Sequence, residues 1–410
     1  MIERSASVLL EFAWGAEQKL WFRTQVRVET ATFHNIGCRR YGKGRAAWRH
    51  GAAYLTDVEM VFSCDAFDSH EEVVFVSDPA CGLRAIIALH STVLGPAIGG
   101  CRILPYADER SALRDVLRLS RGMAYKAAVA DVPFGGGKTV VIADPATQKT
   151  LNLLQALGRF IDRLGGRYLT GEDVGTTAAD MVEIRRSTPH VMGLPKENGG
   201  SGDPSPRTAL GCFVGIEASA NRVWGKTDVR GRRVLVQGLG NVGFNLCRLL
   251  ADAGASLLVS DIKRDVVEKC AAMFGATPVH PDAVIDTPAD IYAPCALGGV
   301  INDRTIERLQ VKIVAGGANN QLESPHHGAA LRARGILYAP DYVINGGGMI
   351  QLALERLHRD QEETERRVRN IGDTLAAIYR KAEAQSVATN VAADWMAEEK
   401  LKSRPAARSA

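Results

Sequence analysis

The chain has 410 residues, and its 46% hydrophobic and 23% charged content is that of a soluble globular protein. Its length suggests two or three domains, because single hydrophobic cores stop growing at roughly 250–300 residues, and no uninterrupted run of ~18 apolar residues predicts a membrane span. The formal net charge of +4 arises within residues 1–57, which hold nine Lys and Arg against five Asp and Glu. The rest of the chain is therefore neutral. It is a poor candidate for nucleic-acid binding, because that function requires a basic face.

Eight cysteines are scattered along the chain without any C-x-x-C pair. This spacing argues against a zinc ribbon and against a disulfide framework. It fits the reducing environment of the cytoplasm, where we expect the protein to reside.

Residues 1–59 differ in pattern from everything that follows. They show no sustained helical or strand period, and they mix basic residues with glycines between Gly37 and Gly51. The acidic Glu3 and Glu11 argue against a signal peptide and a mitochondrial presequence. A segment without a periodic apolar face cannot bury enough surface to offset the entropy of ordering. We therefore predict a disordered extension, before the patterned chain that opens at Met60.

From Met60 onward, strand-like and helix-like runs alternate. A turn at 78–82 separates two apolar strand-like runs, and the apolar residues of the next segment recur at helical spacing. In chain order, the predicted elements are strands at 73–76 and 84–89, a helix over 108–128, a strand at 139–143 and a helix over 151–164. Glycine, serine and proline at 199–206 predict a linker, and we assign a first α/β domain to residues 60–195.

The second block alternates more regularly. In chain order, it predicts a helix over 208–224, a strand at 234–237, a helix over 243–253, a strand at 256–260, a helix over 265–274 and strand-like runs at 291–293, 311–315 and 336–339. Such alternation favours a parallel, doubly wound sheet of Rossmann type. We assign this second domain to residues 196–360. The charged, helical segment 361–410 is predicted to return toward the first domain.

A glycine-rich turn in the second block has the pattern of a dinucleotide site. Gly238, Gly240 and Gly243 follow a predicted strand and open a helix, with Asn241 and Val242 between them. The first glycine permits a tight turn, the second lets the backbone approach a pyrophosphate at the helix N-terminus, and the third allows helix and strand to pack closely. The turn therefore predicts that these five residues bind a nicotinamide dinucleotide.

An acidic residue at the end of the next strand points to the identity of that cofactor. Asp261 lies 23 residues after Gly238, where a carboxylate would accept the hydroxyls of the adenosine ribose. The same charge repels a 2′-phosphate and favours NAD over NADP. Lys263 and Arg264 follow closely and keep NADP open as the less favoured cofactor.

Two lysines, Lys126 and Lys138, stand out in the first block. Lys138 follows three glycines at 135–137, but Val132 occupies the position of the first P-loop glycine, which excludes a nucleoside triphosphate site. A glycine run allows close packing that desolvates a neighbouring amine, and a second ammonium lowers its pKa further. One of the lysines could then act as a neutral base. The alternative interpretation is a pair of solvated surface lysines.

Six segments of the chain resemble the Glu/Leu/Phe/Val dehydrogenase family. They are G-P-A-I-G-G-C-R at 95–102, R-G-M-A-Y-K at 121–126, G-G-G-K-T at 135–139, G-E-D-V-G-T-T at 171–177, A-G-G-A-N-N at 315–320 and Y-A-P-D-Y-V-I-N at 338–345. They occur in the family's order, and the resemblance covers about residues 60–400. The resemblance implies a substrate domain followed by a nucleotide domain, with a cleft that closes on the substrate. It also implies a homo-oligomer.

The resemblance assigns roles to individual residues. Lys126 matches the lysine that binds the substrate α-carboxylate, and Lys138 matches the general base that activates water. Asp173 matches the residue that moves protons to and from the substrate nitrogen. Asn319 would hold substrate or nicotinamide groups near the transfer point. The other contacts expected from the resemblance are Gly99 and Gly100 around the carboxylate, Met123 beside the substrate and Thr208 at the cofactor.

These parts fit the oxidative deamination of an amino acid to a 2-oxo acid and ammonia, with the hydride passed to the nicotinamide. In the glutamate branch of the family, a lysine at the position of Ile98 pairs with the side-chain carboxylate. An apolar residue there leaves that charge unpaired, which costs several kcal/mol. Gly171 and Met349 resemble pocket-lining positions of the leucine and phenylalanine enzymes, so we expect an apolar substrate but leave leucine, valine and phenylalanine open.

Two other classes of protein stay open from the sequence. One is an inactive nucleotide-binding regulatory protein, and the retained lysines and Asp173 argue against it. The other is a 2-hydroxy-acid dehydrogenase, which would usually need a histidine as acid and base. His326 and His327 are adjacent and should point apart, and His90 follows a predicted strand. We therefore predict that these histidines are structural or lie at the surface, and that no metal is bound.

Overall fold

The computed structural model describes residues 60–403. The extension predicted for residues 1–59 lies outside the described residues, as do the last seven residues of the C-terminal segment. Within the described range, strands and helices build two α/β domains, each with its own sheet. None of the helices there has the length and apolar content that a membrane span requires.

The first domain is a mixed five-stranded sheet with helices on both faces. Its elements are β1 (Glu72–Asp78), β2 (Leu83–Ser91), β3 (Ala97–Leu104), α1 (Glu109–Val129), β4 (Gly135–Ile142), α2 (Leu151–Asp162), β5 (Tyr168–Glu172) and α3 (Ala178–Arg185). The strand order is β1-β2-β4-β3-β5, and β3 runs parallel to both of its neighbours. α1 begins at the cap Asp108, whose side chain accepts the Ser111 N–H. This helix covers one face of the sheet, and α2 and α3 cover the other.

The second domain is a six-stranded parallel sheet. Its elements are α4 (Ser205–Trp224), β6 (Arg233–Gln237), α5 (Asn241–Asp252), β7 (Ser256–Ser260), α6 (Arg264–Phe274), β8 (Thr277–Pro278), β9 (Ile291–Pro294), β10 (Ile313–Val314), α7 (His326–Ala333), β11 (Leu337–Tyr338), α8 (Asp341–Ile344) and α9 (Gly347–Arg356). The order β11-β10-β9-β6-β7-β8 confirms the predicted doubly wound sheet. The strand order reverses between β6 and β9, where ligands of such sheets bind.

Three helices complete the described chain and reach back to α1. They are α10 (Gln361–Arg369), α11 (Ile371–Ala384) and α12 (Thr389–Ser403). The Tyr125 hydroxyl of α1 donates to Glu398 of α12 over 3.0 Å, and Lys400 lies 3.3 Å from Asp131. A single buried apolar cluster also contains residues of both domains. The C-terminal helices therefore join the second domain to the helix that carries Lys126.

Several predicted elements differ from the observed ones in extent. α1 continues to Val129, one residue beyond the predicted helix, and His90 lies inside β2 rather than after it. β4 begins at Gly135, four residues before the strand predicted at 139–143, and so includes the three glycines. Strands β3 and β5 were not predicted, because glycines and polar residues interrupt their apolar runs.

Candidate active site

Lys138 lies inside β4 and is 5% exposed. Glycines make this burial possible: a Cβ atom on Gly136 would lie 1.9 Å from the backbone nitrogen of Ala124 in α1, and one on Gly135 would lie 1.9 Å from the Ser91 carbonyl oxygen. The missing side chain at Gly136 lets α1 pack directly on β4, and the one missing at Gly135 lets the backbone of Ser91 in β2 approach closely. The interpretation of two solvated surface lysines is therefore wrong for Lys138.

Asp173 follows β5 and contacts two cations. Its Oδ2 atom lies 2.7 Å from Lys138 Nζ and accepts a hydrogen bond from Arg102 Nε over 2.9 Å. Its backbone N–H donates to Thr176 Oγ1 over 2.9 Å, which ties down the loop. Burial raises the pKa of the Asp173 carboxyl, but the charges of Lys138 and Arg102 outweigh burial and hold that pKa below its ordinary value. The carboxylate is thus ionised near neutral pH.

Lys126 lies in the last turn of α1 and contacts the second domain. Its Nζ donates to Asn345 Oδ1 over 2.6 Å, and Asn345 Nδ2 donates to Asn319 Oδ1 over 2.7 Å. Desolvation lowers the pKa of Lys126 to about 8, and the charge of Lys138 acts in the same direction. The two lysines therefore influence each other, and a chain of polar contacts connects Lys126 to Asn319.

The residues predicted to surround a substrate side chain lie in apolar surroundings. Ile98 is 2% exposed and shares a buried cluster with Met349 and Met192, and Met123 packs against that cluster. A Cβ atom on Gly171 would meet only the Met192 carbonyl oxygen, at 3.6 Å. The missing side chain at Gly171 therefore leaves space beside the backbone of Met192.

Gly99 and Gly100 have an evident role in packing. A Cβ atom on Gly99 would lie 1.7 Å from the Gly137 carbonyl oxygen, and one on Gly100 would lie 2.5 Å from that of Glu172. The two glycines let β3 fit between β4 and β5. Their expected contact with the substrate carboxylate stays a prediction.

The glycine-rich turn between β6 and α5 has the shape that a dinucleotide requires. Gly238 has a φ of 94°, and a Cβ atom on Gly243 would lie 1.9 Å from the Gly238 carbonyl oxygen. In contrast, a Cβ atom on Gly240 would meet nothing within 4 Å. α5 begins directly after Gly240 without a side-chain cap. An uncapped helix start before open space fits a pyrophosphate.

The other predicted cofactor residues surround this turn. Asp261 Oδ2 accepts the Leu239 N–H over 2.7 Å, and its Oδ1 accepts the Lys263 N–H over 2.9 Å. The four lone pairs of a carboxylate leave capacity for ribose hydroxyls. Thr208 is half-buried in the first turn of α4, where its hydroxyl donates to the Pro204 carbonyl. Asn241 and Val242 form the first turn of α5.

Comparison with known proteins agrees with this arrangement. Residues 70–190 match the dimerisation domain of Glu/Leu/Phe/Val dehydrogenases, and residues 199–269 and 259–408 match the Glutamate/Leucine/Phenylalanine/Valine dehydrogenase description. The leucine dehydrogenase of Geobacillus stearothermophilus is 48% identical over 83% of this chain and 93% of its own length. The chain belongs to the Glu/Leu/Phe/Val dehydrogenase family.

Other relatives in the family act on aromatic amino acids by name. The phenylalanine dehydrogenase of Bacillus thermotolerans is 46% identical over 83% of this chain and 90% of its own length. The crystal structure of L-tryptophan dehydrogenase from Nostoc punctiforme has a TM-score of 0.73 at 48% identity, and covers 82% of this chain and 96% of its own. The protein is therefore an amino-acid dehydrogenase, an oxidoreductase, as predicted. Family membership favours this activity over the 2-hydroxy-acid dehydrogenase and the inactive regulatory protein.

The interpretation of the adjacent histidines was wrong in one respect. His326 and His327 do not point apart, since their ring centroids lie 4.0 Å from each other. Both Nε2 atoms approach Asp303 Oδ1, at 3.6 and 3.0 Å. These residues form a group that could hold a cation, which the sequence did not reveal because Asp303 is remote along the chain. The group lies at the start of α7.

The fold brings into the candidate site some residues that were not predicted from the sequence. Asn345 bridges Lys126 and Asn319, and Arg102 contacts Asp173. Both residues stand inside segments that resemble the family, which was the available signal. Asp115, which contacts Arg102, and Tyr106, which donates to Asp115, carried no such signal.

Proposed function

We propose that this protein catalyses the reversible, NAD-dependent oxidative deamination of an apolar L-amino acid of the leucine, valine and phenylalanine class. The observation that carries the proposal is the contact between Lys138 and Asp173, with Lys126 nearby at the junction with the second domain. The first domain then binds the amino acid and the second the dinucleotide. The products are a 2-oxo acid and ammonia.

The residues of the site have different roles in the proposed reaction. Lys126 binds the α-carboxylate as an ammonium, and its link through Asn345 to Asn319 orients the substrate toward the second domain. Lys138 Nζ removes a proton from the water that adds to the substrate iminium carbon. Asp173 exchanges a proton with the substrate nitrogen, and its 2.7 Å contact with Lys138 lets a proton pass between them. Gly238, Gly240 and Asp261 would hold the dinucleotide, which accepts the hydride from the α-carbon.

The apolar environment of Ile98 supports the proposal of an uncharged substrate side chain. A carboxylate placed against a buried isoleucine lacks a partner, and an unpaired buried charge is strongly disfavoured. The space at Gly171 accommodates a larger side chain. We therefore propose leucine, valine or phenylalanine as the substrate class.

A substrate panel tests the proposed function. The purified protein is incubated with NAD or NADP and with leucine, valine, phenylalanine, tryptophan or glutamate, and formation of the reduced nicotinamide is followed by absorbance. We expect activity with one or more of the apolar amino acids and NAD, and little with glutamate. Preference for glutamate, or the absence of activity with all five, would contradict the proposal.

Replacement of Lys126 should affect substrate binding selectively. In Lys126→Ala the KM for the amino acid should rise by roughly 10- to 100-fold, because a hydrogen bond to a charged group contributes ~1.5–3 kcal/mol. Affinity for NAD should change little. Steady-state kinetics with either substrate varied measure both effects, and an unchanged KM would remove Lys126 from the carboxylate site.

The pH dependence of that KM gives a second test. Since the pKa of Lys126 is lowered to about 8, its ammonium is present below pH 8 and is lost as the pH rises through that value. The KM of the wild type should therefore increase above pH 8. Lys126→Arg is the matched control because arginine stays charged, and titration of the substrate's own amine cancels in the comparison. Identical pH profiles for the two proteins would contradict the assignment.

Replacement of Asp261 should alter the choice of cofactor. Asp261→Ser should weaken NAD binding and shift the preference toward NADP, because the charge that repels a 2′-phosphate is gone. Asp261→Asn keeps an acceptor for the Leu239 N–H, so it separates the loss of charge from loosening of the turn. The ratio of kcat/KM for NAD and NADP is the measurement. A wild type that already prefers NADP would show that Lys263 or Arg264 dominates.

We also propose a cytoplasmic homo-oligomer. The match of residues 70–190 to a domain named for dimerisation supports self-association. The scattered free cysteines support a reducing compartment. Light scattering of the purified protein measures the size of the assembly.

A further inference from the structure

We propose that Arg102 is a positioning residue for Asp173: it holds the carboxylate by Oδ2 and leaves Oδ1 to exchange the proton of the substrate nitrogen. This inference rests on the proposed role of Asp173 in the reaction. Arg102 acts through Asp173, since its guanidinium is engaged by two carboxylates.

The strand order places Arg102 where it can act. β3 lies between β4 and β5, and its Cys101 pairs with Thr139 of β4 and with Glu172 of β5. Arg102, one residue farther along β3, therefore lies beside Asp173, one residue beyond the end of β5. The register that builds the sheet thus fixes the distance between guanidinium and carboxylate.

Arg102 is itself anchored at its far end. Its Nη1 atom lies 3.0 Å from Asp115 Oδ2 of α1, and the Tyr106 hydroxyl donates to the same oxygen over 2.6 Å. The side chains of Arg102 and Asp115 are 19% and 21% exposed, so water screens this contact weakly. The guanidinium therefore has one donor on Asp173 and another on Asp115, and it cannot rotate without breaking one of them.

The chemistry of the proposed reaction explains why a second cation is needed. Lys138 and Arg102 have their short contacts with the same oxygen of Asp173. A lysine that serves as a base loses its positive charge for part of each turnover, and its hold on Asp173 weakens at that point. The guanidinium of Arg102 does not deprotonate in a protein. Arg102 therefore supplies the charge that stays on Oδ2 throughout the cycle.

A purely structural role makes a different prediction. The side-chain contacts from Tyr106 through Asp115 to Arg102 could serve only to stabilise the packing of α1 on the sheet. Loss of these contacts should then lower the melting temperature and reduce all activity in proportion to the fraction of unfolded protein. A positioning role should lower kcat in a folded protein, because a displacement of about 1 Å in a catalytic group can cost ~10²-fold in rate. The melting temperature and the kcat of the folded protein therefore distinguish the two roles.

The experiment replaces Arg102 and attempts chemical rescue. We expect Arg102→Ala to lower kcat about 100-fold, with the KM for the amino acid and the Kd for NAD within about threefold of the wild type. Guanidinium or ethylguanidinium added to the variant should restore at least about a tenth of the lost rate, as it refills the gap beside Asp173. Wild-type kcat in Arg102→Ala, or a loss of kcat that matches the loss of folded protein and resists rescue, would overturn the proposal.

Two further variants keep the test decisive. Asp115→Asn retains Arg102 but weakens its anchor, and it should lower kcat about tenfold at unchanged KM; if Arg102→Ala does not fold, unchanged kcat in Asp115→Asn overturns the proposal. Asp173→Asn distinguishes a failure of the proposed role of Asp173 from a failure of the positioning role of Arg102. If Asp173→Asn stays active, the proposed role of Asp173 is wrong. If it is inactive while Arg102→Ala is normal, only the positioning role is wrong.

Discussion

Replacing Lys138 by methionine is expected to lower kcat for oxidative deamination by ~10²–10⁴-fold, the range for loss of a general base. Methionine is similar in length to lysine, and Arg102 still pairs with Asp173 when Lys138 is replaced, so the fold should persist even if the melting temperature falls. The affinity for NAD should stay within about threefold of the wild type, because the dinucleotide turn lies in the other domain. Single-turnover kinetics measure the rate of the chemical step, and titration of the protein's intrinsic fluorescence with NAD measures the Kd for NAD.

A second ion pair between a lysine and an aspartate in the same domain provides the control. Lys149 lies 2.6 Å from Asp180, and both side chains are largely buried. Lys149→Met therefore removes a comparable ion pair that does not involve Asp173, together with the hydrogen bond that Lys149 Nζ donates to the Gly175 carbonyl over 3.1 Å. We expect this variant to retain kcat even if its melting temperature falls, because breaking a buried pair is destabilising. If both variants lost turnover equally, the effect of Lys138 would be one of stability and not of catalysis.

The sequence predicted β6, α5, β7 and α6 of the second domain to within two residues, although it did not predict α7, α8 and α9. The physical reason for the success is visible in β6, α5 and β7. Each of these elements has a continuous apolar run or a helical period, and glycines mark the turn between β6 and α5. Strands β3 and β5 lacked that signal because Gly99, Gly100 and Gly171 replace side chains that would have formed apolar runs. Those glycines permit the close packing of strands on which the site depends, so the features that build the site also hid its strands.

The candidate site could be predicted only where a local motif carried the chemistry. The glycines before Lys138 correctly indicated a desolvated amine, since they allow α1 to approach the strand. The contact between Lys126 and Asn345 joins residues 219 positions apart, and that between Arg102 and Asp173 joins residues 71 positions apart. No spacing rule links such residues, because the register of β3 and the docking of the two domains decide those distances. The same limitation hid Asp303 beside His327.

The same substitution at two glycines of the dinucleotide turn should impair NAD binding for different reasons, with loss of stability at only one of them. Gly240→Ala places a Cβ atom in open space, so its free energy of unfolding should stay within about 0.5 kcal/mol of the wild type. The added methyl group occupies the approach of the pyrophosphate, and the Kd for NAD should rise about tenfold or more, which is ~1.4 kcal/mol. Denaturant unfolding and a binding titration measure the two effects.

Gly243→Ala is the matched variant, and it should fail for a different reason. Its Cβ atom would lie 1.9 Å from the Gly238 carbonyl oxygen, so helix and strand must separate at a cost of about 1–3 kcal/mol or more. We expect a lower melting temperature with or without NAD, and loss of binding as a consequence of the altered turn. If Gly240→Ala bound NAD normally while it remained folded, the cofactor would not approach this helix start. The nucleotide site would then have to be sought elsewhere along the β6 and β9 edge.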